Sequence, residues 1–185
     1  MIYSIYGAQM IIRAEAFATA AHYAIDQRRK YTNKPYIIHP RAVAALIQAL
    51  PEHTWQQVVL GWLHDTVEDT EITLDVIKTI FGREIRDGLY FLTNVEREVG
   101  NRKMRHKLNL ERLAEAPAHV QTVKIADIKD NTKDIAVLGE SFAPLFLEEK
   151  LDAMAVLTRG DQVLWSLTMD QILKQKEEIA HAQTA

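Results

Sequence analysis

Apolar residues recur three or four positions apart along most of the chain, which is the spacing of one face of an α-helix. Only 7 Gly and 5 Pro interrupt this pattern among 185 residues. The sequence therefore predicts an all-α protein of about eight to ten helices. The predicted helices cover about residues 11–28, 40–50, 54–64, 73–82, 85–92, 105–116, 119–131, 144–159 and 161–180.

Several predicted helix ends carry residues suited to cap them. Thr54 and Thr73 can each accept a backbone N–H at a helix start, and Gly82 can end a helix. Residues 135–141 are expected to form a connection between helices. No repeat, low-complexity tract or linker divides the sequence, so we predict one domain spanning residues 1–185.

Composition limits the kinds of site that the chain can build. It has no Cys, which excludes disulfides and thiolate metal sites and fits a reducing cytoplasm. A formal net charge of -3 at pH 7 gives no overall attraction to nucleic acid or anionic lipid. The apolar N-terminus is short and has no basic lead, so we expect no signal peptide. We predict a cytoplasmic protein that binds neither nucleic acid nor membranes, and the sequence leaves the oligomeric state open.

The candidate metal site begins at residues 60–70, where an apolar helix ends in one imidazole and several carboxylates. Ionised carboxylates resist burial unless a cation or a hydrogen-bond network compensates them. We predict that a divalent ion is held by two histidines and two aspartates: His39, His64, Asp65 and Asp127. Imidazole and carboxylate ligands without sulfur suit Mn²⁺, Fe²⁺, Co²⁺ or Zn²⁺. Taken singly, each residue has a structural alternative, such as a core histidine, a helix cap or a solvated carboxylate.

Glu68 and Asp69 follow the pair His64–Asp65 at helical spacing. That spacing predicts that Glu68 lies on the same side as the metal ligands. A carboxylate there can accept a proton from the water that attacks a substrate. The alternative is that both residues cap the helix after Thr73.

Basic residues cluster locally in this mildly acidic chain. One cluster is Arg28–Lys30, shortly before His39, and a second contains Arg97, Arg102, Lys103, Arg105 and Lys107. Either cluster predicts a phosphate-rich small substrate or is ordinary solvated surface. Asn131 lies four residues after Asp127, where it can face the same cavity or cap the helix.

Several short runs occur in order along the chain: QRRK at 27–30, PYIIHP at 35–40, LHDTVEDT at 63–70, FG at 81–82, LT at 92–93 and VKIAD at 123–127. In this order they resemble the RelA/SpoT-type (p)ppGpp hydrolase domain, a member of the HD-domain metal phosphohydrolases. The resemblance spans residues 16 to 160 approximately. Hydrolase–synthetase members are much longer, so it implies a stand-alone small alarmone hydrolase with an HD-type helical bundle.

The resemblance also implies a role for each candidate residue. The residues that match the family's metal ligands, with Mn²⁺ the usual ion, are His39, His64, Asp65 and Asp127. Glu68 and Asp69 match the catalytic pair that orients and activates the water. The residues that match substrate contacts, or stand in for them, are Arg29, Lys30, Arg102, Lys103, Asn131 and Lys150.

The expected reaction is hydrolysis of the 3′-pyrophosphate of ppGpp or pppGpp, which gives GDP or GTP and pyrophosphate. Two alternatives remain. The first is an HD phosphohydrolase that acts on another nucleotide, as a 5′-nucleotidase or an NADPH phosphatase. The second is a module that binds the alarmone without cleaving it, which the presence of Glu68 and Asp69 disfavours.

Overall fold

The computed structural model describes residues 3–30, 32–133, 135 and 142–184. Within these residues the secondary structure consists of ten α-helices and one 3₁₀ helix, together with an isolated bridge between Arg28 and Pro35. The predicted all-α class is confirmed. The chain divides into two compact units, Met1–Asn94 and Val95–Ala185, and the single domain stays a prediction.

The first unit contains six helices, and the third of them is the most deeply buried. They are α1 (Ile5–Ala24), α2 (Ile38–Gln48), α3 (Trp55–Leu63), α4 (Thr66–Asp69), α5 (Leu74–Phe81) and α6 (Arg83–Leu92). Helix α3 is buried from Gln57 to Leu63 and packs against α1, α2 and α6. A helix that is apolar all round belongs in a core.

Helices α2 and α3 approach most closely at Gly61. A Cβ atom added there would lie 2.8 Å from Cδ1 of Ile47 and 3.2 Å from Cα of Ala44. The absence of a side chain therefore allows the two helix backbones to pack together. This approach aligns the first turn of α2, which carries His39, with the end of α3, which precedes His64.

The predicted caps of the first unit are confirmed. Thr54 and Gln57 form a capping box at the start of α3, and the hydroxyl of Thr73 accepts the N–H of Val76 at 3.3 Å. Gly82 ends α5 with φ of 88°, a left-handed conformation that glycine adopts without steric cost.

Helix α1 is displaced towards the N-terminus from its predicted span. It starts at Ile5, because Ser4 accepts the N–H of Gly7 at 3.1 Å, and it ends at Ala24. It stops early because Asp26 takes φ of 45°, which a right-handed helix cannot continue. The apolar pattern alone did not indicate this reversal.

The second unit contains a 3₁₀ helix and four α-helices. Their bounds are Arg97–Val99 for the 3₁₀ helix, then α7 (Arg102–Glu115), α8 (Ala118–Thr132), α9 (Ala143–Val156) and α10 (Gln162–Thr184). Helix α8 is buried along most of its length and packs against α9 and α10. The last helix runs further than predicted, and the predicted connection at 135–141 lies, apart from Ile135, outside the described residues. No helix in the described part of the chain has both the length and the apolar character that crossing a membrane requires.

The left-handed residue Asp26 provides a test of the turn after α1. Asp26→Gly should be more stable than Asp26→Val by about 1–2 kcal/mol, because only the β-branched side chain resists a positive φ. Urea unfolding followed by circular dichroism measures the difference. Both variants lose the exposed pair between Asp26 and Arg28, so the comparison isolates the backbone. Equal stability of the two variants would contradict the turn geometry.

Helices α7 and α9 are joined by a bidentate pair in which Nε and Nη2 of Arg102 donate to Glu149 at 2.7 and 2.9 Å. The hydrogen bond from Arg102 lowers the pKa of Glu149. Its stabilising effect is therefore complete above the ordinary pKa of a glutamate and disappears as the pH falls through the lowered value.

Glu149→Gln should consequently cost about 0.2–1 kcal/mol at neutral pH, since the pair is largely exposed. The difference from the unaltered protein should vanish at the acidic end of a pH series of unfolding measurements. The double variant with Arg102→Gln should lose no more than either single variant. A difference that persists in acid would show that the ion pair is not its source.

Candidate functional site

Three potential metal ligands of the first unit lie within hydrogen-bonding distance of one another. Nε2 of His39 lies 3.1 Å from Nε2 of His64. Oδ2 of Asp65 lies 3.0 Å from the His64 nitrogen and 3.5 Å from the His39 nitrogen. Both histidines are buried, at 1% and 2% exposure respectively. The structure therefore brings together two imidazoles and a carboxylate that are separated in sequence.

The orientation of these side chains suits metal binding. Nδ1 of His64 lies 2.9 Å from the carbonyl oxygen of Gly61, so that nitrogen carries the hydrogen and Nε2 presents a lone pair. Ligands about 2.1 Å from one ion lie about 3.0–3.4 Å apart at angles between octahedral and tetrahedral values. The observed spacing matches this range. The buried His/Asp cluster can hold a metal ion.

Tyr36 is an additional member of the cluster. Its hydroxyl donates to Oδ2 of Asp65 at 2.6 Å, the same oxygen that faces the two histidines. Its ring also contacts His39 edge to face, at 5.8 Å between centroids. Tyr36 therefore fixes the direction of the Asp65 carboxylate.

Glu68 and Asp69 occupy the short helix α4, and each is held by an amide side chain. Asn94 donates its backbone N–H to Glu68 at 3.2 Å and its Nδ2 hydrogen at 2.8 Å. Gln27 donates from Nε2 to Oδ2 of Asp69 at 2.8 Å. The start of α5 is capped by Thr73 itself, so the two carboxylates do not serve as its caps.

The carboxyl group of Asp69 is electrostatically unlike an ordinary surface acid. Loss of hydration raises its pKa, and the negative charge of Asp65 raises it further. The hydrogen bond from Gln27 acts in the opposite direction. A carboxylate with a raised pKa accepts a proton more readily than one at its ordinary value.

The predicted basic cluster of the first unit, Arg28–Lys30, lies on the loop between α1 and α2. The guanidinium carbon of Arg29 lies 5.8 Å from the centroid of the Tyr36 ring. The backbone N–H of Arg29 donates to Lys34 at 2.9 Å and closes the loop. Lys30 is exposed on the same loop. A positive charge therefore lies beside the tyrosine that contacts Asp65.

In the second unit, Asp127 lies in the buried face of α8 at 4% exposure. Nζ of Lys124 lies 2.8 Å from Oδ2 of Asp127, and Asn131 donates to Oδ1 at 2.6 Å. Asn131 lies inside α8 rather than after it, so it does not act as a C-cap. The carboxylate of Asp127 is thus compensated by one cation and one amide.

The remaining predicted substrate residues lie on α7 and α9. Arg102 is engaged with Glu149, as described above, and Lys103 is exposed beside it. The ammonium group of Lys150 lies 4.9 Å from the centroid of the Phe146 ring. A phosphate at Arg102 would have to share the guanidinium with the Glu149 carboxylate or replace it.

Four residues that contact the predicted acids were not among the predicted site residues: Gln27, Tyr36, Asn94 and Lys124. Gln27, Tyr36 and Lys124 lie inside runs that were recognised, and their polar groups were the available signal. Asn94 follows Glu68 by 26 residues, and nothing in the local pattern indicates that contact.

No protein-family model matches this chain. It is 32% identical over 152 residues to a probable guanosine-3′,5′-bis(diphosphate) 3′-pyrophosphohydrolase of Synechocystis, covering 80% of this chain and 20% of that protein. The chain thus spans about a fifth of the length of this relative and of a similar one from Aquifex aeolicus, of which it covers 22%.

A shorter relative matches over most of its length. The guanosine-3′,5′-bis(diphosphate) 3′-pyrophosphohydrolase MESH1 of Xenopus tropicalis is 34% identical over 137 residues, which cover 69% of this chain and 70% of that protein. The fold matches the solved structure of a metazoan ortholog of SpoT with a TM-score of 0.79, at 21% identity and with 95% and 98% of the two chains covered. The resemblance inferred from the motifs is confirmed, and the chain belongs to the guanosine-3′,5′-bis(diphosphate) 3′-pyrophosphohydrolase family.

Proposed function

We propose that this protein hydrolyses the 3′-pyrophosphate of ppGpp or pppGpp and releases pyrophosphate together with GDP or GTP. The cluster of His39, His64 and Asp65 beside Glu68 and Asp69 is the observation that carries this proposal. The relatives named above are pyrophosphohydrolases of guanosine-3′,5′-bis(diphosphate), which supports the same substrate here. We also propose that the protein acts in the cytoplasm, whose reducing conditions suit a chain without disulfides.

The metal site that we propose has four ligands: His39, His64, Asp65 and Asp127. This arrangement requires both compact units to belong to one HD-type domain. Three properties support Asp127 as the fourth ligand: it is a buried carboxylate, it offers a ligand oxygen, and it lies in the VKIAD run that resembles the family. A set of two imidazoles and two carboxylates suits Mn²⁺.

When bound, the metal supplies Lewis-acid chemistry that stabilises charge on a phosphoryl oxygen and activates water. Glu68 takes a proton from the attacking water, and Asp69 orients that water. The water oxygen bonds to the phosphorus nearest the ribose. The bond from that phosphorus to the 3′ oxygen breaks, and the 3′ oxygen takes a proton from solvent to become the hydroxyl of GDP or GTP.

The substrate carries several negative charges that the protein must compensate. We propose that basic and amide side chains contact its phosphates and ribose: Arg29, Lys30, Arg102, Lys103, Asn131 and Lys150. Lys30 and Lys103 are exposed, so a phosphate can reach them. Fixed cations of this kind stabilise charge that develops during phosphoryl transfer.

The reaction can be tested by incubating the purified protein with ppGpp and Mn²⁺ and separating the products by ion-exchange chromatography. We expect GDP and pyrophosphate in equal amounts, no products after chelation, and recovery when Mn²⁺ is returned. His64→Ala should lose Mn²⁺ binding and turnover together. Phosphate release from another nucleotide, with ppGpp left intact, would support the alternative of a different HD phosphohydrolase and would contradict this proposal.

The role of Glu68 can be separated from that of the metal ligands. Glu68→Gln should lower kcat by about 10²–10⁴-fold, since removal of a general base has effects of that size, while Mn²⁺ binding persists. Asp65→Ala should lose both. Glu71→Gln is a matched control, because this exposed acid lies close in sequence and has no proposed role. Unchanged turnover in both Glu68→Gln and Asp65→Ala would contradict the mechanism.

A further inference from the structure

The turn that ends α1 brings the side chains of His22 and Gln27 within hydrogen-bonding distance. The N–H of Gln27 donates to the carbonyl oxygen of His22 at 3.0 Å, and the N–H of Asp26 donates to Tyr23 at 3.0 Å. With Asp26 in the left-handed conformation, these bonds define a Schellman motif. The two residues that flank this motif, here His22 and Gln27, usually make an apolar contact. In this protein they make a hydrogen bond instead.

That hydrogen bond belongs to a chain that ends at a predicted catalytic acid. Nδ1 of His22 lies 2.6 Å from Oε1 of Gln27, and Nε2 of Gln27 lies 2.8 Å from Oδ2 of Asp69. An ionised carboxylate only accepts hydrogen bonds, so the amide nitrogen of Gln27 must face Asp69. The amide oxygen then faces His22 and requires a donor, so Nδ1 of His22 carries the hydrogen.

Among the described residues, the ring of His22 makes no hydrogen bond other than the one to Gln27. It is buried at 1% exposure, and its Nε2 has no hydrogen-bond partner in the part of the chain that the structure describes. The ring packs against Tyr36, at 4.9 Å between centroids. In the described part of the chain the hydrogen bond to Gln27 therefore selects the tautomer of His22, although a buried histidine ordinarily satisfies both nitrogens.

We propose that His22 is a positioning residue, which holds the amide of Gln27 in the one orientation that can donate to Asp69. The proposal rests on the function proposed above. Asp69 lies on a helix of four residues, so its side chain would otherwise sample several rotamers. Holding the Asp69 carboxylate in one rotamer beforehand removes the entropic cost of ordering it during the reaction. Small misplacements of reacting groups can lower a rate about 100-fold.

Tyr36 links the same histidine to the metal cluster. Its ring packs on His22, and its hydroxyl donates to Asp65. Gln27 and Tyr36 therefore contact the two ends of the segment Asp65–Asp69. The buried ring of His22 contacts both Gln27 and Tyr36.

The test uses substitutions that retain or remove one nitrogen of the ring. In His22→Asn the amide nitrogen can occupy the place of Nδ1 and donate to Gln27, so kcat should stay within about threefold of the unaltered enzyme. His22→Leu and Gln27→Leu should each lower kcat by about 10–100-fold. KM for ppGpp and Mn²⁺ affinity should not change, because neither residue is proposed to contact substrate or metal.

A double-mutant cycle distinguishes a chain of contacts from two separate structural effects. The variant with both leucines should be no slower than the slower single variant, since either substitution already releases Asp69. His53→Leu is the control for removing a buried histidine: His53 bonds Leu50 and Tyr3, and its loss should lower Tm without altering kcat of the folded protein. Multiplicative losses in the double variant would overturn the proposal.

A measurement without substrate tests the geometry separately. Long-range ¹⁵N–¹H spectra of the Mn²⁺-free protein should show the His22 hydrogen on Nδ1. In Gln27→Leu the hydrogen should no longer reside predominantly on Nδ1. A hydrogen on Nε2 would overturn the inference even if ppGpp is hydrolysed. If the unaltered protein releases no pyrophosphate, the proposed function fails, and the positioning role fails with it. Normal kcat in His22→Leu with active unaltered enzyme would overturn the positioning role alone.

Discussion

The close approach of α2 and α3 is the constraint on which the site in the first unit depends. Gly61 contributes to it twice. Its missing side chain leaves room for the backbone of Ala44, and its carbonyl oxygen receives the Nδ1 hydrogen of His64. One small residue therefore sets both the distance between two helices and the direction in which an imidazole presents its lone pair. The pairing of His39 with His64 follows from these two effects.

The first unit places its acids on the shortest helix and then restrains them from elsewhere. Helix α4 has four residues, too few to be stable in isolation. Asn94 and Gln27 reach Glu68 and Asp69 from outside the helix, and Tyr36 reaches Asp65. Neutral donors restrain a carboxylate without cancelling its charge, which an arginine or lysine would do. The acids thus keep their ability to attract a proton while their positions are fixed.

Local signals explain why much of the fold could be predicted from the sequence. The all-α class follows from the spacing of apolar residues. Thr54 and Thr73 cap helix starts and Gly82 ends a helix, as their side-chain chemistry predicted. Helix α1 was misplaced because Asp26 takes a positive φ that aspartate adopts only occasionally. The helix also begins earlier than predicted because Ser4 caps it, and the spacing of apolar residues does not indicate a polar cap.

The candidate site was predictable where its residues are adjacent in the chain or lie in a recognisable run. His64 and Asp65 are neighbours, and His39 lies in the PYIIHP segment. The contacts of Asn94 and Gln27 join residues 26 and 42 positions apart, and such pairings depend on tertiary packing rather than on local pattern. The bidentate engagement of Arg102 by Glu149 was hidden for the same reason, since a cluster of positive residues does not show which of them is already neutralised.

The backbone of α4 carries one more relation, in which the N–H of Asp69 donates to the carbonyl oxygen of Asp65 at 2.9 Å. This single turn makes the spacing between the proposed metal ligand Asp65 and the acids that follow it a property of the peptide chain itself. Inserting or deleting one residue there would rotate the later acids by about 100° around the helix axis. A change in the length of the segment from 65 to 69 would therefore displace the proposed metal ligand and the proposed proton acceptor relative to each other.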